Sequence, residues 1–259
     1  MHGREFKLLD KMHIIKIPSS IGISKKGSEL APDEIDKQLE SIYSNEEEKY
    51  PSFEIKELKV NSFKDIEEVY QDNSIFIGGD HSISYALFKS FSREYNNNAL
   101  IIFDAHPDVA ESNKINNYSW IKFLIDENYI NPENIMIIGL RAAALQELNY
   151  LKSKKIKYIP MKNIFNNVED ICDVIMEFAR KFDKIYLSLD IDVVDPAFAP
   201  GTNYLEPGGL TSRELIYFIQ RLKILKNLTA VDIVEVNPEN DVNNITSKLA
   251  AKLIFEILK

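Results

Sequence analysis

The chain has little of what staples, interrupts or anchors a fold. Cysteine occurs once in 259 residues, as Cys172. That excludes an internal disulfide and makes a reducing compartment, the cytoplasm, the expected home. Glycine numbers 9 and proline 10, and neither gathers into a linker. With no repeat or low-complexity tract either, no domain boundary is placed and 1–259 reads as one domain. No apolar run approaches the roughly 20 residues of a membrane span. The opening MHGREFKLLDKM lacks an apolar signal core, so residues 1–11 read as a loose extension, with Met12 as an alternative start. Basic side chains are also short, 31 against 40 acidic, for a net charge of −9. Nucleic acid and anionic membrane surfaces are therefore not expected partners, since both need clustered Lys and Arg. What is present, 45% hydrophobic and 27% charged residues, is ordinary globular composition.

Short apolar runs alternate with longer amphipathic ones. Strands are expected at Met12–Ile17, Phe53–Val60, Ser74–Ile77, Ala99–Phe103, Ile135–Leu140, Lys157–Ile159, Ile185–Leu189 and Ala230–Val236. Several are apolar on consecutive residues, as in strands buried on both faces. Helices are expected at Asp33–Tyr43, Phe63–Tyr70, Ile83–Tyr95, Ser119–Glu127, Ala143–Lys152, Val168–Phe182, Ser212–Leu225 and Ser247–Leu258. The alternation predicts an α/β fold with a mainly parallel sheet. An open doubly wound sheet and an eight-stranded barrel both fit, and both bind ligands at the carboxyl ends of their strands.

Three expected strands run into clusters of metal-ligand residues: Gly78-Gly79-Asp80-His81-Ser82, Asp104-Ala105-His106-Pro107-Asp108, and Asp190-Ile191-Asp192 leading to Asp195-Pro196. Residues two apart share a strand face, so Asp104, His106 and Asp108 project together if that strand continues, as do Asp190 and Asp192. With Asp80 included, convergence would crowd five carboxylates and two imidazoles together, an arrangement that needs cations. Carboxylate-rich O/N ligation suits Mn²⁺ better than zinc, and the ligands suffice for two ions able to activate water for hydrolysis. Glu235 adds an acid inside an apolar run, where it needs a cationic partner: a substrate, or a Lys or Arg of the chain. Thr211 and Glu214 are spaced as a helix capping box.

These segments resemble the ureohydrolase family, which includes arginase, agmatinase and formimidoylglutamase. The resemblance extends to Pro207-Gly208-Gly209-Leu210-Thr211-Ser212-Arg213-Glu214, to Glu235-Val236-Asn237-Pro238 and, more weakly, to Gly27–Pro32. It implies a three-layer α/β/α sandwich around a parallel eight-stranded sheet, and thus no barrel. It also implies two Mn²⁺ per chain. His81, Asp104, Asp108 and Asp190 would hold one ion, and His106, Asp104, Asp190 and Asp192 the other. The implied reaction is attack of a bridging hydroxide on a guanidino or amidino carbon, followed by C–N cleavage. Asp108 would bond that hydroxide, and Glu235 would grip a small cationic substrate. Trimers or hexamers are typical of the family.

The chain departs from the pattern at three places. Trp120 stands where the family carries a histidine thought to shuttle protons, help generally worth about 10²–10⁴-fold. His2 in the extension and His13 in the first strand are no evident substitutes. Trp120 either shapes a substrate pocket or packs on the sheet. Ala110 and Ala142-Ala143-Ala144 replace residues that hold the amino-acid head group in arginases. Arg141 then either contacts an acidic substrate tail or forms a structural ion pair. The expected function is a manganese-dependent, agmatinase-like hydrolase releasing urea. The alternatives are a formimidoylglutamase-like hydrolase and a catalytically weak metal-binding relative. Histone-deacetylase-like chemistry fits the Gly-Gly-Asp-His-Ser and Asp-x-Asp motifs poorly.

Overall fold

The computed structural model describes residues 13–23, 25–48 and 52–258; Met12, His2 and the expected N-terminal extension lie outside these. Eight strands, β1 (His13–Lys16), β2 (Glu54–Glu57), β3 (Ser74–Ile77), β4 (Asn98–Phe103), β5 (Ile135–Leu140), β6 (Lys157–Pro160), β7 (Lys184–Asp190) and β8 (Leu228–Val234), form one sheet in the order β2-β1-β3-β8-β7-β4-β5-β6. Every pairing is parallel. The interior strands β3, β4 and β5 are buried along their whole length, whereas edge strand β2 is largely exposed. That is why the interior strands read as continuous apolar runs and β2 as a mixed one.

Alternate residues of each strand enter two separate cores, as the two-residue side-chain period demands. Ile75, Ile77, Ile101, Phe103, Leu187, Leu189, Val231 and Ile233 pack with α1 (Ala31–Leu39), α7 (Val168–Ala179), α8 (Ser212–Leu222) and α9 (Ile245–Ile257). Phe76, Leu100, Ile102, Tyr186, Ala230 and Val234 pack with α2 (Phe63–Val69), α3 (Ile83–Glu94), α4 (Trp120–Asp126) and α5 (Leu145–Lys154). The result is the three-layer α/β/α sandwich. Helix α8 shows the local logic. Leu215, Phe218, Ile219 and Leu222 are buried at i, i+3, i+4 and i+7, and each fully buried side chain of this size contributes about 1.5–3 kcal/mol. The Thr211 hydroxyl accepts the Glu214 N–H at 3.2 Å while the Glu214 carboxylate accepts the Thr211 N–H at 2.7 Å, closing the capping box. One short helix, α6 (Met161–Ile164), was not expected, being a single turn without room for a periodic pattern. Among the described residues, no helix is long and apolar enough to cross a membrane.

The connection from β3 to β4 carries the chain over β8 and β7, and β5 and β6 then extend the sheet outward from β4. The carboxyl ends of the four neighbours β3, β8, β7 and β4 therefore open beside one another, where such sheets place ligand sites.

Candidate metal centre

Each of those four strand ends delivers part of one cluster, but by turns rather than by strand alternation. β4 stops at Phe103, so Asp104, His106 and Asp108 do not share a continuing strand face. Asp104 Oδ1 instead accepts the N–H of His106 at 2.6 Å. Asp190 Oδ1 likewise accepts that of Asp192 at 2.8 Å, inside a 3-10 turn over Ile191–Val193. A carboxylate capturing the amide two residues on is the local device that bends both loops back. Asp108 and Glu235 both sit at positive φ, 50° and 63°, a costly conformation for residues with a side chain that is concentrated at functional sites. Glu235 lies just past the end of β8 rather than within it.

The six expected ligands converge. His81 Nδ1 lies 3.2 Å from Asp104 Oδ2, 3.0 Å from Asp108 Oδ2 and 3.1 Å from Asp190 Oδ2. His106 Nδ1 lies 3.4 Å from Asp104 Oδ1 and 2.9 Å from Asp192 Oδ2. His81, Asp104 and Asp108 form one group whose donor atoms lie within 4.8 Å of one another; Asp104, His106 and Asp192 form a second, and Asp104 belongs to both. Despite the short distances, His81 Nδ1, Asp104 Oδ2 and Asp192 Oδ2 are buried atoms that no hydrogen bond satisfies. Buried donor atoms crowded this closely without a satisfying partner fit a divalent cation, and the carboxylate-rich set suits manganese.

The electrostatics point the same way. Burial, then the neighbouring charge of Asp104, pushes Asp108 up to about 6. Burial and the facing carboxylates also raise Asp190 and Asp192. Burial opposes charge on both imidazoles, yet the surrounding carboxylates raise His81 and His106 above their ordinary value. Without a cation the cluster must hold protons, and binding metal would release them. Asp80 does not join the cluster. Its oxygens accept the N–H of Ser82 at 2.9 Å and of Gly22 at 3.3 Å, which ties the loop after β3 to the loop after β1.

Behind the first group lies a network that sequence reasoning missed. His81 Nε2 meets the Ser188 hydroxyl at 2.9 Å, and that hydroxyl donates to Asp232 Oδ1 at 2.6 Å. Ser84 and Tyr186 each donate to Asp232 Oδ2 at 2.7 Å. Asp232 is fully buried in β8. A lone acid inside an apolar strand was the available signal, but its partners come from β7 and α3.

Two expected substrate contacts lie elsewhere. Trp120 is fully buried and does not line the cavity. Its Nε1–H donates to Asp108 Oδ2 at 2.8 Å, and its ring lies 4.8 Å from that of His81. Packing on the sheet side and bracing a ligand describe it; shaping a substrate pocket does not. Among the described residues Arg141 forms no ion pair. Its guanidinium donates to the carbonyls of Asp192, Glu206, Gly139 and Val193, knitting the end of β5 to the loop after β7. A Cβ on Gly209 would fall 2.6 Å from Arg141 Nη2, so only glycine admits this packing.

A cavity of about 220 Å³ opens onto the cluster, bordered by Asp108, Asp190, Asp192, Glu235, Asn117 and Tyr204, with Glu147 among the remaining lining residues. Glu235 is 1% exposed. Its Oε1 accepts the His81 N–H at 2.9 Å, and its Oε2 has no partner. Burial, then the charge of Asp80, raises it to about 8. Among the described residues no Lys or Arg pairs with it, so the cationic partner that its position demands is not supplied there by the protein.

With this geometry in view, comparison with known proteins is specific. The arginase family profile matches residues 10–259. The arginase of Staphylococcus aureus (strain COL) is 30% identical, covering 93% of this chain and 94% of that one. An agmatinase of Bacillus cereus is 33% identical over 70% of this chain and 61% of its own length. The solved formimidoylglutamase of Bacillus subtilis superposes with a TM-score of 0.88 at 27% identity, covering 96% of this chain and 86% of that one.

Proposed function

The chain belongs to the arginase family, and from that premise we propose that it is a manganese-dependent hydrolase that cleaves a C–N bond of a guanidino or amidino compound, with agmatine as substrate and urea as product. The observation that carries this reading is the buried, unpartnered Oε2 of Glu235 beside the ligand cluster. An acceptor buried without a donor costs about 1–3 kcal/mol, and a planar guanidinium offers both the proton and the charge.

His81, Asp104, Asp108 and Asp190 would hold one ion, and Asp104, His106, Asp190 and Asp192 the second. Bound there, manganese supplies Lewis acidity and lowers the pKa of water. The protein supplies orientation. The His81 amide fixes Glu235 Oε1, so Oε2 can hold the substrate cation with its carbon toward the cluster. Trp120 occupies Asp108 Oδ2, leaving Asp108 Oδ1 to take a proton of the attacking water. Agmatine is favoured over arginine because, among the described residues, the cavity lining includes neither Lys nor Arg, while Glu147 gives it an acidic residue for a distal ammonium. A carboxylate tail would meet acids without a cationic partner. The single, buried Cys172 supports a reducing, cytoplasmic home.

One observation favours a second reading, a metal-binding relative with little turnover. The indole that replaces the expected histidine is committed to Asp108 and delivers no proton to a leaving amine. Product release from the manganese-reconstituted protein decides. Arginine, agmatine, guanidinobutyrate, guanidinopropionate and formimidoylglutamate would each be assayed for urea, formamide and ammonia. Urea from agmatine is expected. Urea from arginine alone, or formamide from formimidoylglutamate, would overturn the agmatine assignment. Silence across the panel with two ions bound would select the second reading.

A further inference from the structure

Glu235 does not face the cavity alone. Asn117 lies in the turn before α4, lines the same cavity and is 6% exposed. Its Nδ2 stands 3.4 Å from Glu235 Oε1 and 3.4 Å from the Tyr204 hydroxyl oxygen. An ionised carboxylate only accepts hydrogen bonds, so when Glu235 holds a cation the amide presents Nδ2 to it, as the distance shows, and turns Oδ1 away. That oxygen is buried and has no partner. Two neighbouring residues of one cavity thus each carry an unsatisfied buried acceptor, Asn117 Oδ1 and Glu235 Oε2. Native proteins leave few such atoms without a reason.

The position of Asn117 is set from outside its own loop. Its backbone N–H donates to the carbonyl of Gly22 at 3.3 Å, and the Gly22 N–H donates to Asp80 Oδ2 at 3.3 Å. A Cβ at Gly22 would fall 2.1 Å from the Ser82 hydroxyl, so glycine is required for this approach. The segment Gly79–Ser82 that carries His81 therefore also anchors the loop that carries Asn117.

We propose that Asn117 is a specificity-determining residue, whose Oδ1 accepts one N–H of the planar cation that Glu235 holds through Oε2. This rests on the guanidino or amidino reading above and narrows it. A guanidinium or amidinium directs several N–H groups outward in one plane, so two fixed acceptors on different residues read its shape as well as its charge. An ammonium satisfies the charge with one compact group and has less need of the second acceptor.

The test is calorimetry on the manganese-loaded protein, with agmatine read as KM from the rate of heat release and 1,5-diaminopentane, which has no guanidino carbon to attack, from its binding isotherm; the diamine carries an ammonium where agmatine has its guanidinium. N117A should weaken agmatine about tenfold or more, since a hydrogen bond between a buried acceptor and a charged donor is lost. The diamine should change less than threefold, and manganese content should stay at the wild-type level. N117Q, which keeps both the amide donor and an acceptor oxygen on a side chain one methylene longer, should weaken agmatine less than N117A does. It also remains informative if thermal unfolding shows that N117A does not fold. Agmatine binding to N117A at wild-type strength would overturn the proposal. So would a loss of the diamine as large as that of agmatine, which would mean that Asn117 serves to hold Glu235 rather than to read the shape of the cation. Wild-type protein that binds neither probe would instead sink the functional reading, a separate failure.

Discussion

His81 and His106 meet the same shared carboxylate, Asp104, from opposite kinds of surroundings. His81 is 1% exposed, and both its ring nitrogens are engaged: Nδ1 toward three carboxylates, Nε2 toward Ser188 and through it Asp232. Trp120 covers its ring and bonds the adjacent Asp108. His106 has a side chain 24% exposed and lies edge-on to Tyr204, with Nε2 3.6 Å from Glu206. One half of the centre is thus finished by the protein, and the other is left for solvent and substrate to complete. Outer partners orient ligands and tune affinity, so the His81 position should bind its ion the more tightly and respond more strongly to mutations behind it.

The largest expected effect tests whether the halves are joined. Asp104 belongs to both tight donor groups among the described residues and, with Asp190, to both proposed ligand sets. D104N should weaken manganese binding more than about 100-fold at both positions and reduce hydrolysis at least as far, as followed by calorimetric titration and urea release. Loss at one position alone would show two independent sites and break the picture of a single centre with two unlike halves.

Next comes the protein-finished half. W120F keeps most of the buried aromatic surface but removes the N–H that Asp108 Oδ2 accepts. Affinity at the His81 position should fall about 10- to 100-fold, as for other outer-partner losses, while the His106 position changes less than threefold. Equal weakening of both positions would mean that Trp120 supports the cluster as a whole and would erase the contrast.

The same contrast governs what could be read from the sequence. The convergence of the six expected ligands and Glu235 was legible because each follows a buried apolar strand, and strand ends in such folds gather in space. The eight strands were legible for the same reason, since two-sided burial writes itself as consecutive apolar residues. Even so, strand periodicity gave the wrong cause for the convergence, because Asx-type turns at Asp104 and Asp190 do the bending. Residues whose roles depend on distant partners were not legible. Trp120 answers to Asp108 and His81, Arg141 to carbonyls of the loop after β7, and Asp232 to three hydroxyls from two other elements. Asn117 and Glu147 sit in a polar loop and at a helix start, with no local pattern to distinguish them from solvated side chains.

The smallest effect is expected at Glu206, and its smallness sharpens the comparison. Glu206 and His106 have side chains 37% and 24% exposed, and the carboxylate oxygen and ring Nε2 are 3.6 Å apart. Pairs this open to water contribute about 0–1 kcal/mol, which corresponds to at most about fivefold in an equilibrium constant. E206A also leaves intact the backbone carbonyl that Arg141 uses, so the loop should keep its course. Manganese affinity at the His106 position should therefore drop less than fivefold. The difference should shrink further in 0.5 M salt, where exposed charges are screened over about 4–5 Å. A salt-insensitive loss of tenfold or more would mean that the protein, not solvent and substrate, completes the His106 half, and the two halves would then be alike.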